Sequence, residues 1–365
     1  MPPSATSQVL LSPAELSYLH TSLSLSPPIR SDGRSATQFR PLIAETGILP
    51  GTNGSARICF ADGSEAIVGV KAEIEKSLPI DTKEEAQDID IENLHFISST
   101  KARKKQKTNW NVWVDVDVEL PGYRDDDAMP VLLASIITEA LLADGQHPPG
   151  LYINRRFHWK LYIDILLLSH PLSYPLPLLS LTSHLALLST RLPRLKSEEE
   201  DDPLFDDDWD AAIYLYPRGE SNFTRPPLTL LVMAVKDNII FDPSREELAV
   251  AEVVLAISIG VAVKDTEDSD NSTRNIKLLS VRTIDPPSRL AHPGVPNALN
   301  AATRGLPIAL EDVASKSELY EEEGVWQPPR GGAKRKLITT MIRQVLVAGG
   351  VADEVLDGLE TVELS

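Results

Sequence analysis

A single cysteine, Cys59, stands in 365 residues. That excludes an internal disulfide framework and any zinc module built on several cysteines. Within the alternating stretch ARICF, the expected role of Cys59 is a small buried hydrophobe, and such sparse cysteine usage fits a reducing compartment. Positive charge is also short: 35 Lys and Arg against 53 Asp and Glu leave a formal charge of −18. A chain this acidic does not bind nucleic acid over its whole surface; that task would need a local basic groove. Uninterrupted apolar runs are missing. The longest candidate, LYIDILLLSHPLSYPLPLLSL at 161–181, is broken by prolines and holds Asp164 and His170, so no membrane span is expected. The first twenty residues lack a basic n-region and their apolar run ends at Pro13 and Glu15, so no signal peptide is expected. The seven histidines show no HxxH or HExxH spacing, Ser221 and Ser280 lack a nucleophile-elbow context, and no GxxxxGK[ST] loop occurs.

What is present reads as globular: 42% hydrophobic and 24% charged residues, in a length that suits two or three domains or one large one. Ser12, Pro13 and Glu15 form a capping box with proline at the first helical position, predicting a helix over 13–23 that Pro27 and Pro28 end. Asp32-Gly33 is a turn flanked by Arg30 and Arg34. Residues 54–76 predict a hairpin turning at 61–64. The segment 110–120, WNVWVDVDVEL, alternates strictly: Val112, Val114, Val116 and Val118 face one way, and Trp113, Asp115, Asp117 and Glu119 the other. A helix is expected over 130–143, a central strand over 158–168 and a second helix over 177–190. Further on come a strand at 228–235, a turn at 236–238, the strand NIIF, a helix from Asp242-Pro243 through Ile257, and terminal helices over 333–349 and 352–360. Sheet, helices, sheet, helices is the order of an α+β or mixed α/β fold with two similar layers.

Several charged features invite a functional reading. KARKKQK at 101–107 has five basic residues in seven; it suits RNA contact, a nuclear-localisation signal, or a solvated loop neutralising its acidic neighbours. Glu198–Asp210 holds nine carboxylates in thirteen residues without the central glycine of an EF-hand, and reads as a solvated loop. Asp115, Asp117 and Glu119 share a strand face, but nothing nearby completes a ligand set, so no metal is assigned. His158 and Asp164 share a face of their strand and make a weak pair. Arg155, Arg156 and Lys160 cluster where a strand begins, and Arg124 follows the carboxylate strand. Converging with Arg30 and Arg34, they would make a positive groove that holds a phosphate backbone without reading sequence. Otherwise they pair with local acids or with a partner's acids at an interface.

LSPAELSYLHTSL, IRSDGRSATQFRP, NGSARI and DGSEAIVGVKAEI, followed in order by KLYIDILLL, TRLPRLK and DNIIFDPSREE, resemble the RNase PH-fold subunits of the eukaryotic exosome. The resemblance spans roughly residues 10–262 and the C-terminal helices. It is nearest to the ring subunit descended from the archaeal non-catalytic partner, in a fungal-like version. It implies an RNase PH-like α+β fold (ribosomal protein S5 domain 2-like). An N-terminal helix and arm would occupy 1–28. An N-terminal subdomain would span 29–216, with an inserted loop at 75–108 and an acidic loop at 197–210. A C-terminal subdomain would span 217–365, with inserted loops at 265–275 and 284–332. It also implies a six-subunit ring of RNase PH-like proteins, capped by S1/KH proteins and threading single-stranded RNA to a hydrolytic 3′→5′ exoribonuclease, in nucleus, nucleolus and cytoplasm, with no cofactor and no membrane.

Active relatives carry a glycine-rich, aspartate-bearing stretch after the strand at 161–168; here it reads HPLSYPLPLLSL, and LLVMAVKDN offers Asp237 only in a turn. Phosphorolysis needs a held phosphate and an acid or metal for the leaving group. The expectation is therefore a ring subunit without catalytic residues, with Arg124, Arg155, Arg156, Lys160, Arg30 and Arg34 as the candidate RNA-contact or interface residues. An active phosphate-dependent exoribonuclease and a different scaffold subunit of the same ring are the alternatives.

Overall fold

Ser12 opens the first helix, α1 (Pro13–Leu23), as its sequence requires. Its hydroxyl accepts from the Glu15 amide at 3.3 Å, and the Glu15 carboxylate accepts from the Ser12 amide at 2.7 Å. The structure, a computed structural model, describes residues 11–77, 113–143, 149–170, 172–197, 201–218, 225–261, 274–290, 326, 328 and 332–364. The basic run at 101–107 and nearly all of the loops 75–108, 265–275 and 284–332 lie outside them.

Five strands form the first sheet: β1 (Leu42–Thr46), β2 (Gly54–Phe60), β3 (Glu65–Lys76), β4 (Val114–Glu119) and β5 (Phe157–Leu167), in the spatial order β1-β2-β3-β5-β4. The β2–β3 hairpin turns at Gly63, whose φ of +85° suits glycine. β4 runs parallel to β5, so α2 (Ala128–Ala143) is the crossover between them. After α3 (Leu176–Ser189), β6 (Arg191–Leu192) pairs with β7 (Ile213–Tyr214). The second sheet, in the order β11-β10-β8-β9, contains β8 (Leu228–Val235), β9 (Asn238–Phe241), β10 (Val253–Val261) and β11 (Ile276–Ile284). α4 (Arg245–Leu248) lies between β9 and β10, and α5 (Arg335–Val345) and α6 (Val351–Glu360) follow.

α3 lies between the two sheets. Its sequence, LPLLSLTSHLALLS, carries no charged side chain and is rich in leucine, and all fourteen residues are buried. It packs on β1, β2, β3 and β5 of one sheet and on β8 of the other, so both halves share one core. Two of its polar residues are satisfied within the helix: the Thr182 and Ser183 hydroxyls donate to the carbonyls of Leu178 and Leu179 at 2.7 and 2.8 Å. Among the described residues no helix is long and apolar enough to cross a membrane.

Three local expectations are corrected. The helix expected from Asp242 to Ile257 is only α4, because Ser244 rather than Asp242 caps it, in a second capping box with Glu247. The following VVLAISIG is strand β10, paired on both edges; a short β-branched apolar run suits either element until pairing decides. Trp113 is buried rather than sharing the wet face of Asp115, because it precedes β4 and its ring stacks on His158 at 4.2 Å. Cys59 is half-buried, on the face of β2 opposite the buried Ile58 and Phe60. β1 is an addition that the sequence reading left without an element.

Candidate RNA-contact surface

Arg30 and Arg34 flank the Asp32-Gly33 turn as expected, but both point inward. Arg30 grips Glu247 with two parallel bonds, Nε to Oε1 at 2.7 Å and Nη2 to Oε2 at 2.8 Å, and donates to the carbonyls of Phe241 and Asp242 at 3.2 and 3.0 Å. Arg34 Nη1 donates to Asp242 Oδ2 at 2.9 Å. Arg40 completes the lattice: Nη2 and Nε reach Asp242 at 2.6 and 2.9 Å, and Nη1 reaches Asp62 at 2.6 Å. Burial works against the charge of Arg40, and its bonds to Asp242 and Asp62 outweigh that, holding the guanidinium above the ordinary arginine range. SDGR and FDPSREE, far apart in sequence, are thus the two halves of one buried ionic clamp. Its arginines do not face solvent, which removes Arg30 and Arg34 from the open face of the proposed groove. Sequence reasoning missed Arg40, Asp62 and Asp242 as members; the visible sign was an aspartate left over once Ser244 is recognised as the helix cap.

Arg155 and Arg156 directly precede β5, and Lys160 is its fourth residue. Arg156 is exposed and pairs with Asp202 at 3.1 Å. Lys160 lies over the Tyr162 ring at 4.7 Å and pairs with Glu75 at 3.3 Å. The Tyr162 oxygen first, and Glu75 after it, hold its ammonium above the usual lysine range. His158 adds no charge here: burial, with Lys160 contributing, lowers its pKa, and its Nδ1 lies 3.0 Å from the Ser77 hydroxyl. Surface pairs of this kind contribute little stability, so a phosphate can replace a carboxylate at modest cost. Arg124 is 80% exposed and pairs with Asp126 at 3.1 Å, but it follows the far end of β4. Glu119 pairs with Leu166, whereas Arg155 and Arg156 precede Phe157. Ten residues of strand, about 33 Å, separate the two positions. The six candidate cations therefore form three places, not one groove. His158 and Asp164 share a face, but six residues of strand, about 20 Å, keep them apart.

On the outward face Asp117 lies opposite Asp164 across β4 and β5, with Asp115 and Glu119 in line along β4; all four are exposed. Among the described residues, no group of three or more His, Cys, Asp or Glu is placed to hold a metal ion. All eight residues of β8 are buried and none is acidic. Just before α3, in the stretch where active relatives carry glycine and aspartate, Ser173 accepts from Arg40 Nη1 at 2.7 Å, and Arg40 is already committed to two aspartates. A phosphate there would have to displace them.

With two sheets enclosing α3 and a crossover helix on a mixed five-stranded sheet, the fold is the RNase PH-like α+β fold with two similar sheet and helix layers. Residues 38–193 match the RNase PH family, described as the 3′ exoribonuclease family, domain 1. The exosome complex component RRP42 of Saccharomyces cerevisiae is 33% identical over 254 residues, covering 68% of this chain and 81% of its own. The exosome complex component rrp42 of Schizosaccharomyces pombe is 31% identical over 265 residues, covering 68% and 78%. The chain belongs to the RNase PH family. Within it, the chain is related to these yeast exosome components. A solved structure, the Archaeoglobus fulgidus exosome with RNA bound to the active site, is similar at 16% identity over 83% of this chain and 92% of that one, with a TM-score of 0.48.

Proposed function

We propose that this chain is a non-catalytic structural subunit of the RNA exosome ring, the one descended from the archaeal non-catalytic subunit. It helps form the channel that threads single-stranded RNA for 3′→5′ processing and decay, including rRNA processing and mRNA turnover. The observation that carries this reading is the relationship to the yeast exosome components, combined with a β8 free of carboxylates and an Arg40 already neutralised beside Ser173. Its partners are other RNase PH-like ring subunits, S1/KH cap proteins and a hydrolytic 3′→5′ exoribonuclease, in nucleus, nucleolus and cytoplasm; it takes no cofactor. Arg155, Arg156 and Lys160, and separately Arg124, are the positions offered to RNA or to a neighbour.

The test is a tagged pull-down at physiological salt with mass spectrometry and an RNA-degradation assay on the eluate. A stoichiometric multi-subunit complex whose RNase activity is indifferent to phosphate is expected. A monomer that degrades RNA only when phosphate is added would establish the phosphorolytic alternative instead.

A further inference from the structure

A cleft of about 360 Å³ opens where the β1–β2 loop meets the C-terminal end of α3 and the turn at Trp209. It lies at the opposite end of α3 from Ser173 and Arg40, about 21 Å of helix away. It is contained within this one chain, so it does not depend on the ring assembly proposed above. Two of the resemblance motifs build it. Asn53 Nδ2 donates to the Arg191 carbonyl at 3.1 Å, the Arg191 amide donates to the Asn53 carbonyl at 2.8 Å, and Asn53 Oδ1 accepts from Ala72 at 2.9 Å. Ser55 Oγ accepts from Leu49 at 3.0 Å, and Ser189 Oγ donates to the Ser55 carbonyl at 3.2 Å. The wall is therefore fixed before anything binds, which lowers the cost of ordering it.

Two groups in this cleft have chemistry to spare. Arg191 lays its guanidinium over the Tyr214 ring, 4.5 Å from the centroid, and donates from Nη2 to the Tyr214 hydroxyl; its Nε is buried without an acceptor, and Nη1, with no partner among the described residues, is the nitrogen left to meet a ligand. Among the described residues no carboxylate comes within ion-pair distance of it. Trp209 lines the same cleft with 46% of its surface exposed. An unpaired guanidinium beside an open indole, in a volume of nucleotide size, matches a phosphate joined to a flat aromatic base. We propose that this cleft binds a nucleoside monophosphate group, base on Trp209 and phosphate on Arg191, either as a free nucleotide or as one unit of a single strand.

Opposing charges are present and set its scale. Asp207, Asp208 and Asp210 share the Trp209 turn, and the C-terminal end of α3 disfavours an anion. Asp206 is matched by Lys196 at 2.9 Å, and the Asp208 carboxylate accepts from the Asp210 amide at 3.1 Å. The exposed carboxylates are screened beyond about 8 Å at physiological salt, whereas the half-buried guanidinium is screened less. The site therefore suits one or two phosphates rather than a long backbone.

Calorimetric titration of the full chain tests this with AMP, adenosine, inorganic phosphate, a three-nucleotide oligoadenylate and a tripeptide with a free carboxylate. AMP should bind more tightly than adenosine or phosphate. Trp209→Ala, at a half-exposed position, should weaken AMP about tenfold while its thermal unfolding stays close to that of the parent chain. Arg191→Gln should reduce AMP to the level of adenosine. Oligoadenylate binding as well as AMP identifies a strand as the source, and AMP binding alone identifies a free nucleotide. No AMP binding, an unchanged affinity in Trp209→Ala, or preference for the tripeptide overturns the proposal.

Discussion

Asp242 concentrates more of the fold than any other single side chain described. It is fully buried at a φ of +46°, and its carboxylate accepts from Arg34, from Arg40 and from the Arg40 backbone amide at 3.0 Å. Asparagine tolerates that backbone conformation, so Asp242→Asn removes the charge and little else. Two buried guanidinium groups then keep only their partly exposed partners, Asp32 for Arg34 and Asp62 for Arg40, and a loss of about 3–5 kcal/mol is expected in urea unfolding. A loss below about 1 kcal/mol would show that water enters the clamp and that its burial is incomplete.

His184, inside α3, gives a pH signature. Complete burial, only partly offset by the Pro227 carbonyl 3.4 Å from Nδ1, lowers its pKa to about 4. The unfolded chain binds this proton near pH 6.5 and the folded chain does not, so stability is full above that value and is lost as pH falls toward 4. Between pH 7 and pH 5 the chain should lose about 2 kcal/mol from this residue. Unfolding curves of His184→Gln, which cannot take up the proton, should be flatter over that interval by a similar amount.

At the scale of the element, Gly54 fixes how the β1–β2 loop meets α3. A Cβ there would meet the Thr190 backbone at 2.6 Å, whereas at Gly69 it would meet only side-chain methyls, of Leu49 at 3.2 Å and of Thr52 at 3.5 Å. Gly54→Ala should therefore cost about 1–3 kcal/mol and loosen the Asn53–Arg191 contacts, with Gly69→Ala costing less; thermal unfolding of the two variants side by side checks the order. The GSARI motif was readable as half of a hairpin, because alternation is local. That its glycine faces a residue more than a hundred positions later was not.

The same distinction explains what else could be read. α1 announced itself through Ser12 and Glu15, and α3 through its leucine-rich run. β10 passed for a helix because VVLAISIG takes its identity from partners on β8 and β11. Arg30 and Arg34 looked like surface cations because their counter-ions, Glu247 and Asp242, are separated from them by most of the chain. The charge of Arg156 and Lys160 was legible, but the acids that meet it, Asp202 and Glu75, were a matter of folding.

For the whole molecule, −18 charges and only two separated basic places open to solvent, Arg124 and the start of β5, predict weak, shallowly salt-dependent RNA binding by the isolated chain. With about three phosphates met at the start of β5, log K against log salt should fall with a slope near −2 for single strands. A slope steeper than about −4 would reveal a positive surface beyond the described cations.

The ionic clamp also has a consequence during synthesis. Arg30 waits for Glu247, 217 residues later. At about 5–20 residues per second, that carboxylate follows the arginine by about 10–40 s. For most of that interval the nascent N-terminal third carries three arginines destined for burial with Asp32 and Asp62 present but Asp242 and Glu247 still to come, and β8, the strand of the second sheet on which α3 packs, does not yet exist. The first sheet has to wait in an unfinished state on the ribosome, which makes this chain a natural client for whatever shields growing chains. Truncation before Asp242 should yield insoluble protein rather than a smaller folded piece.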